Sequence, residues 1–261
     1  MIHQAVDCYH TIKGDDGPWV LLLHGLFGSH NNLGGIARVL SAHYRVLMVD
    51  LRNHGRSSHS DFMSYDHMIS DVLALLDQHD IESTIVLGHS MGGKLAMGLA
   101  SAHPERVKAA IVVDIAPVDY PPQHQTVFRA LRSLDLRGLK SRGQADQQMA
   151  REIDEVGLRQ FLLSNLRRGD DGFQWRMNLD VIEEQYDEIA AAPELREPFD
   201  RPCLIIRGGE SDYIDADGRL KIQRWFPSAD IVTVEESGHW PHSQHPEAFN
   251  TIVESFLQAI R

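Results

Sequence analysis

Thr84–Ala100 reads TIVLGHSMGGKLAMGLA. The run Thr84–Leu87 is short and rich in β-formers, and it stops at Gly88. The stretch Met91–Ala102 is rich in Ala, Leu and Met and reads as a helix. Between them GHSMGG, Gly88–Gly93, matches G-x-S-x-G in the strand–turn–helix context that this pattern requires. Reversing from strand to helix within a few residues forces the central serine into a strained conformation. Gly88 and Gly92 must be small because they approach each other across that turn. Ser90 is then exposed at the carboxyl end of a sheet, where α/β folds place their ligands. The N-terminus of the following helix favours developing negative charge there.

Five further runs repeat the strand signal: Trp19–Leu23, Arg45–Val49, Ala109–Val113, Cys203–Ile206 and Asp230–Val234. Each is short and rich in Val, Ile or Leu, as suits strands buried on both faces of a parallel sheet. Helix-period stretches lie between them. Asp66–His79 sets Ile69, Val72, Leu73, Leu75 and Leu76 on one face, and Glu247–Ile260 does the same with Phe249, Ile252, Val253, Phe256 and Leu257. Strand and helix in alternation predict a mostly parallel, doubly wound α/β sheet. Residues 119–198 break the alternation with a polar, helix-patterned stretch lacking strand-like runs. The expected organisation is therefore a core of residues 1–118 and 199–261 with residues 119–198 inserted as a helical lid.

The chain has 261 residues, 43% hydrophobic and 24% charged, with a formal net charge of -12. That suits one folded domain with an insertion. Its acidity argues against nucleic acid and anionic lipid surfaces as partners. Two basic clusters, Arg129/Arg132/Arg137/Lys140 and Arg167/Arg168, could receive an anionic substrate but read better as solvated helix faces. Cys8 and Cys203 are isolated, which predicts a reducing compartment without disulfides. MIHQAVDCYH has no secretory-leader pattern and no apolar stretch is long enough to span a membrane, so a cytoplasmic location is expected.

A serine hydroxyl needs a general base, and the base needs an acid to orient it. Of 15 histidines, His239 stands out because it follows the last strand-like run in a Gly-His turn. His242 and His245 follow at spacing that suggests metal ligands, but Pro241 and Pro246 interrupt the helix and no coordination set completes them. Two carboxylates compete as the acid. Asp212 follows the fifth run in GGESDY, and Asp114 follows the fourth in VVDIAP. Asp114 is preferred because it follows its strand immediately. An oxyanion hole needs two backbone N–H groups. Met91 is expected to supply one and Leu26 the other, with Phe27 as the alternative. His24 reads as a structural turn residue. Phe128 and Trp175 are the expected substrate-binding side chains of the lid, and Leu131, Phe161, Leu162 and Phe173 read as packing or pocket.

LLLHGLFGSHNNLGG, VDLRNHGRSSHS, GHSMGGKLAMGLA, VVDIAPVDY and GHWPHSQHPEAF together resemble the α/β-hydrolase superfamily, in particular the bacterial YbfF-type esterases and their eukaryotic relatives. The resemblance extends to the lid phrases FLLSNL and WRMNLDVI. It implies an esterase of the α/β-hydrolase fold acting on short-chain acyl esters, and on acyl-CoA thioesters as a further class, without a cofactor. It maps the nucleophile onto Ser90, the base onto His239 and the acid onto Asp114. Asn53 and His54 resemble a loop that shapes the pocket floor. The sequence departs from the family where that family reads GGNSPY, because Asp212 stands in GGESDY. Both acids therefore remain in play. Two other readings compete with the esterase: a lyase or C–C hydrolase on the same side chains, and a non-catalytic binding protein on this scaffold.

Overall fold

The structure, a computed structural model, describes residues 4–260. Met1–His3, the start of the stretch read for a leader, lie outside the described residues. From the amino end, β1 (His10–Lys13) and β2 (Trp19–Leu23) precede α1 (Gly34–Leu40) and β3 (Arg45–Val49). Then come α2 (Tyr65–Gln78), β4 (Thr84–His89), α3 (Met91–Ala102) and β5 (Val107–Val113). The next segment holds α4 (Gln125–Arg132), α5 (Arg142–Met149) and α6 (Val156–Leu163). It continues with β6 (Leu166–Gly169), β7 (Gly172–Trp175), α7 (Leu179–Glu184) and α8 (Tyr186–Ala190). The chain closes with β8 (Cys203–Gly208), α9 (Ala216–Trp225), β9 (Ala229–Val234), α10 (Pro241–Gln244) and α11 (Pro246–Ala259).

The main sheet has the order β1-β3-β2-β4-β5-β8-β9. All its neighbours pair in parallel except β1, which runs antiparallel to β3 along one edge. Side chains alternate across the strands. Val20, Leu22, Val46, Met48, Ile85, Leu87, Ile111 and Val113 face one core with α1 and α11. Leu21, Leu23, Leu47, Val49, Val86 and Val112 face the other with α2 and α3. Both faces are covered, which is why the strands read as continuous apolar runs.

From β2 the chain turns outward to β3, and from β4 it turns the opposite way to β5. The crevice between the carboxyl ends of β2 and β4 is therefore the topological switch point, where open α/β sheets bind ligands. The loops that leave these strands contain Gly25–Gly28 and Ser90.

Two elements depart from the sequence expectation. β1 is a four-residue edge strand, too short and polar to register as an apolar run. The segment predicted to be wholly helical contains the hairpin β6–β7, closed through Gly172 at φ 124°. Arg167 and Arg168 are thus exposed on a strand instead of a helix face.

The segment between β5 and β8 is tied at its base. The Tyr120 N–H donates to Ala190 O at 3.0 Å, and the Ala192 N–H to Asp119 Oδ1 at 2.7 Å. From the core, Tyr65 donates its hydroxyl to Ile189 O, and Lys94 Nζ donates to both Ala190 O and Ala191 O, each at 2.7 Å. Lys94 lies over the Tyr120 ring at 4.6 Å, and burial pushes its ammonium down to about 7.

Arg52 and Asp71 form a buried ion pair, with Nε and Nη2 at 2.6 and 2.7 Å from the two carboxylate oxygens. Arg52→Met leaves the Asp71 charge buried without its partner, which costs about 3–5 kcal/mol. Urea denaturation reads this as a lower midpoint at unchanged slope. A loss below about 1 kcal/mol would contradict it.

Candidate active site

The turn after β4 holds Ser90 at φ 54°, ψ −120°, a conformation that costs about 1–3 kcal/mol for a residue with a Cβ. The turn closes because its neighbours lack side chains. A Cβ on Gly88 would overlap Gly92 O, and one on Gly92 would overlap Leu23 O.

Ser90 Oγ lies 3.0 Å from His239 Nε2, and His239 Nδ1 lies 2.8 Å from Asp114 Oδ2. Asp114 is fully buried, whereas the His239 side chain is 17% exposed. The Asp114 carboxylate also accepts from the Gly208 N–H, at 2.9 Å to Oδ1, and from the Ser211 hydroxyl on Oδ2. These two donors fix the carboxylate with Oδ2 presented to the imidazole. Register explains the placement. Val113 pairs with Ile206, and the Asp114 N–H donates to Ile206 O, so the next side chain meets the loop after β8.

Asp212, the competing acid, is exposed and has no hydrogen-bond partner among the described residues. The loop that carries Asp212 brings donors to Asp114 instead.

The amides of Leu26 and Met91 have no partner among the described residues, and both residues line the space beside Ser90. Phe27, the alternative donor, is excluded because its N–H donates to His54 Nε2 at 3.1 Å. His54 is fixed in that tautomer by Nδ1, which donates to Arg52 O. His54 therefore sits behind the Leu26–Phe27 turn, Asn53 bonds to Asn178 and Ser60, and neither lines the space beside Ser90. His24 braces the same turn, donating through Nδ1 to Gly25 O and accepting the Leu51 N–H on Nε2.

Two cavities meet at Ser90. The inner one, about 40 Å³, is lined by Leu26, Met91, Lys94, Tyr65, Tyr120 and Tyr186, among others. The outer one, about 460 Å³, is bounded by His239, Trp240, Val127, Leu158 and Phe161. Phe128 and Trp175 line neither. Phe128 is buried edge-on between Phe27 and Tyr186, and Trp175 packs against the core from the hairpin. Phe128 is buried in α4, and its neighbour Val127 is the residue that reaches the cavity.

The family described as the alpha/beta hydrolase fold matches residues 18–246. The chain belongs to that family. Among relatives, this α/β hydrolase is 41% identical over 258 residues to the mouse (Mus musculus) sn-1-specific diacylglycerol lipase ABHD11, covering 95% of this chain and 84% of the relative. It is 35% identical over 239 residues to the esterase YbfF of Escherichia coli, covering 91% and 92%. Among solved structures, a marine microorganism esterase superposes with a TM-score of 0.94 at 39% identity, covering 97% of this chain and 100% of that one.

Sequence reading of the hydrolase missed the surroundings of His239. His89 donates from Nε2 to the His239 carbonyl at 2.7 Å, and the Tyr213 ring stacks on the His239 imidazole. His89 could have been suspected from its place beside Ser90, but Tyr213 arrives from another loop and carried no local signal. The basic side chains of the first cluster are exposed, with Arg132 paired to Asp180 and Glu183.

Proposed function

We propose that this protein hydrolyses carboxylic esters through an acyl-enzyme on Ser90. The protein is a carboxylic ester hydrolase. One observation carries the assignment of roles: the unbroken hydrogen-bonded chain from Ser90 Oγ through His239 to the buried Asp114. His239 takes the serine proton as Oγ attacks the acyl carbon, and Asp114 stabilises the imidazolium. The Leu26 and Met91 amides receive the oxyanion. His239 then protonates the leaving alcohol, and water repeats the sequence on the acyl-enzyme. The same steps serve a thioester, because a thiolate is a better leaving group than an alkoxide. Acyl-CoA thioesters thus fall within the proposed substrate class.

Residues 119–198 act as the lid over the core formed by 1–118 and 199–261. Val127, Leu158 and Phe161 give the outer cavity apolar walls suited to acyl or alkyl groups. Cys8 and Cys203 are buried free thiols, each pushed up to about 12 by burial, in keeping with a reducing, cytoplasmic setting. No helix of the described residues is long and apolar enough to cross a membrane.

A fluorophosphonate is expected to label Ser90 stoichiometrically, with the site located by mass spectrometry and the label absent in Ser90→Ala. A p-nitrophenyl ester is expected to release a burst of about one equivalent if deacylation is the slower step. Folded protein that takes the label but turns over no ester would overturn the reading and bring forward lyase or C–C bond chemistry on the same side chains. Folded protein that takes no label would bring forward the non-catalytic binding protein.

A further inference from the structure

We infer that Tyr213 is a positioning residue for His239, acting through its ring face on the imidazolium that forms during turnover. The inference rests on the reading of His239 as general base. The two rings are stacked, with centroids 4.0 Å apart and planes 24° from parallel. His239 needs such support. Its two nitrogens must stay aligned at once with Ser90 and Asp114, yet its side chain borders the outer cavity, and the rings of His89 and Trp240 meet it tilted or edge-on. A flat ring against one face restrains rotation of the imidazole toward that cavity.

The Tyr213 ring is itself fixed through its backbone. Its carbonyl accepts the Tyr120 hydroxyl at 2.6 Å, and the Tyr120 oxygen accepts the Ala116 N–H at 2.9 Å. Its N–H points to Ser211 Oγ at 3.4 Å, the hydroxyl that donates to Asp114. One short loop therefore sets both partners of the imidazole: Ser211 holds the carboxylate at its edge, and Tyr213 covers its face. The Tyr213 hydroxyl has no hydrogen-bond partner among the described residues, and burial pushes its ionisation up to about 12. The phenol stays neutral, and the ring is the working part.

The chemistry follows from the charge. When His239 accepts the Ser90 proton, the imidazolium lies with Asp114 in its plane and the negative face of an aromatic ring above it. The other titratable groups that face it, His89, His124 and His242, are kept from protonation by burial and offer no counter-charge. The ring face thus favours the imidazolium in the step where it forms.

The test compares the parent protein, Tyr213→Leu and Tyr213→Phe, with Ser90→Ala as the zero. Three quantities are read: kcat and KM for a small p-nitrophenyl ester, the acid limb of kcat/KM, and the His239 imidazole titration by NMR. The His239 signal is assigned by its absence in His239→Gln. Tyr213→Leu is expected to lower kcat about 10–100-fold with little change in KM, and to move the acid limb and the NMR titration down by about 0.5–1 pH unit. Tyr213→Phe is expected to rescue all three. Parent-like kcat and titration in Tyr213→Leu would overturn the inference, as would a phenylalanine variant as impaired as the leucine one. If the NMR titration shifts as expected but no Ser90-dependent hydrolysis is found, the esterase reading falls while the ring pairing stands. If hydrolysis is present and the titration does not move, the pairing falls and the esterase reading stands.

Discussion

Asp114→Asn is expected to lower turnover of a good ester by about 10⁴-fold, the size of loss seen when the orienting aspartate of a serine protease triad is amidated. Asp212→Asn is expected to stay within about twofold of the parent. The difference follows from hydrogen-bond bookkeeping at one carboxylate. Asp114 accepts from three donors: the His239 Nδ1–H, the Gly208 N–H and the Ser211 hydroxyl. An asparagine offers one acceptor oxygen and one NH₂. If the NH₂ faces His239, the imidazole must present a bare Nδ1 and carry its proton on Nε2. That nitrogen can then no longer take the proton of Ser90. If the NH₂ takes the place of Oδ1 instead, it faces the Gly208 N–H, and a buried donor meets a donor. Steady-state kinetics beside a thermal melt separates the two effects, because loss of kcat at a parent-like melting temperature isolates the tautomer. A large loss in Asp212→Asn, with Asp114→Asn nearly intact, would reverse the assignment.

The fold is expected to lose stability between pH 6.5 and 5, well before its carboxylates titrate. Burial pushes His54 down to about 3 and His124 and His242 to about 4, and His24 and His89 are shifted in the same direction by the same cause. In the unfolded chain each titrates near 6.5. Below that value the unfolded state takes up protons that the folded state refuses, so stability falls as pH falls. The contribution is fully present above about 6.5 and is lost as pH drops toward the folded values. At pH 5.5 each strongly depressed histidine costs about 1.4 kcal/mol. His54, His124 and His242 together cost about 4 kcal/mol, a large share of the roughly 5–15 kcal/mol that holds a domain folded. Calorimetric scans from pH 7.5 to 5 measure this as a falling midpoint. The slope of unfolding free energy against pH gives the number of protons taken up. A flat profile across that interval would mean that these histidines titrate as exposed ones do.

The sheet was legible because five of its six parallel strands are buried on both faces and therefore written as apolar runs, while β9, half-exposed at the edge, still carries Ile231, Val232 and Val234. β1 was not, since an edge strand of four half-exposed residues leaves no such run. β6 and β7 were hidden by Arg167 and Arg168, which read as a charged helix face when the turn at Gly172 is overlooked. Ser90 and His239 could be named because each stands in a local pattern at the end of a strand. The choice between Asp114 and Asp212 could not be closed in the same way. Both are aspartates just past a strand, and only the pairing of Val113 with Ile206 decides which carboxylate meets the imidazole. Tyr213 and Ser211 escaped because their partners lie 26 and 97 residues away, and sequence spacing carries no trace of such contacts.

The tie between Tyr120 and Ala190 turns the segment between β5 and β8 into a stem-closed loop. Its two ends meet whatever lies between them, through one backbone bond and the side chains of Asp119, Tyr65 and Lys94 at the base. Closure entropy grows only as the logarithm of loop length. The length of chain inside the stem is therefore nearly uncoupled from the cost of closing it. Its composition is not, because its buried side chains share one core with a face of the sheet and Asn165 Nδ2 donates to Phe27 O beside the reacting serine. Insertions at its exposed turns can change what reaches Ser90, whereas changes on its inner face are felt by the three side chains that the sheet aligns.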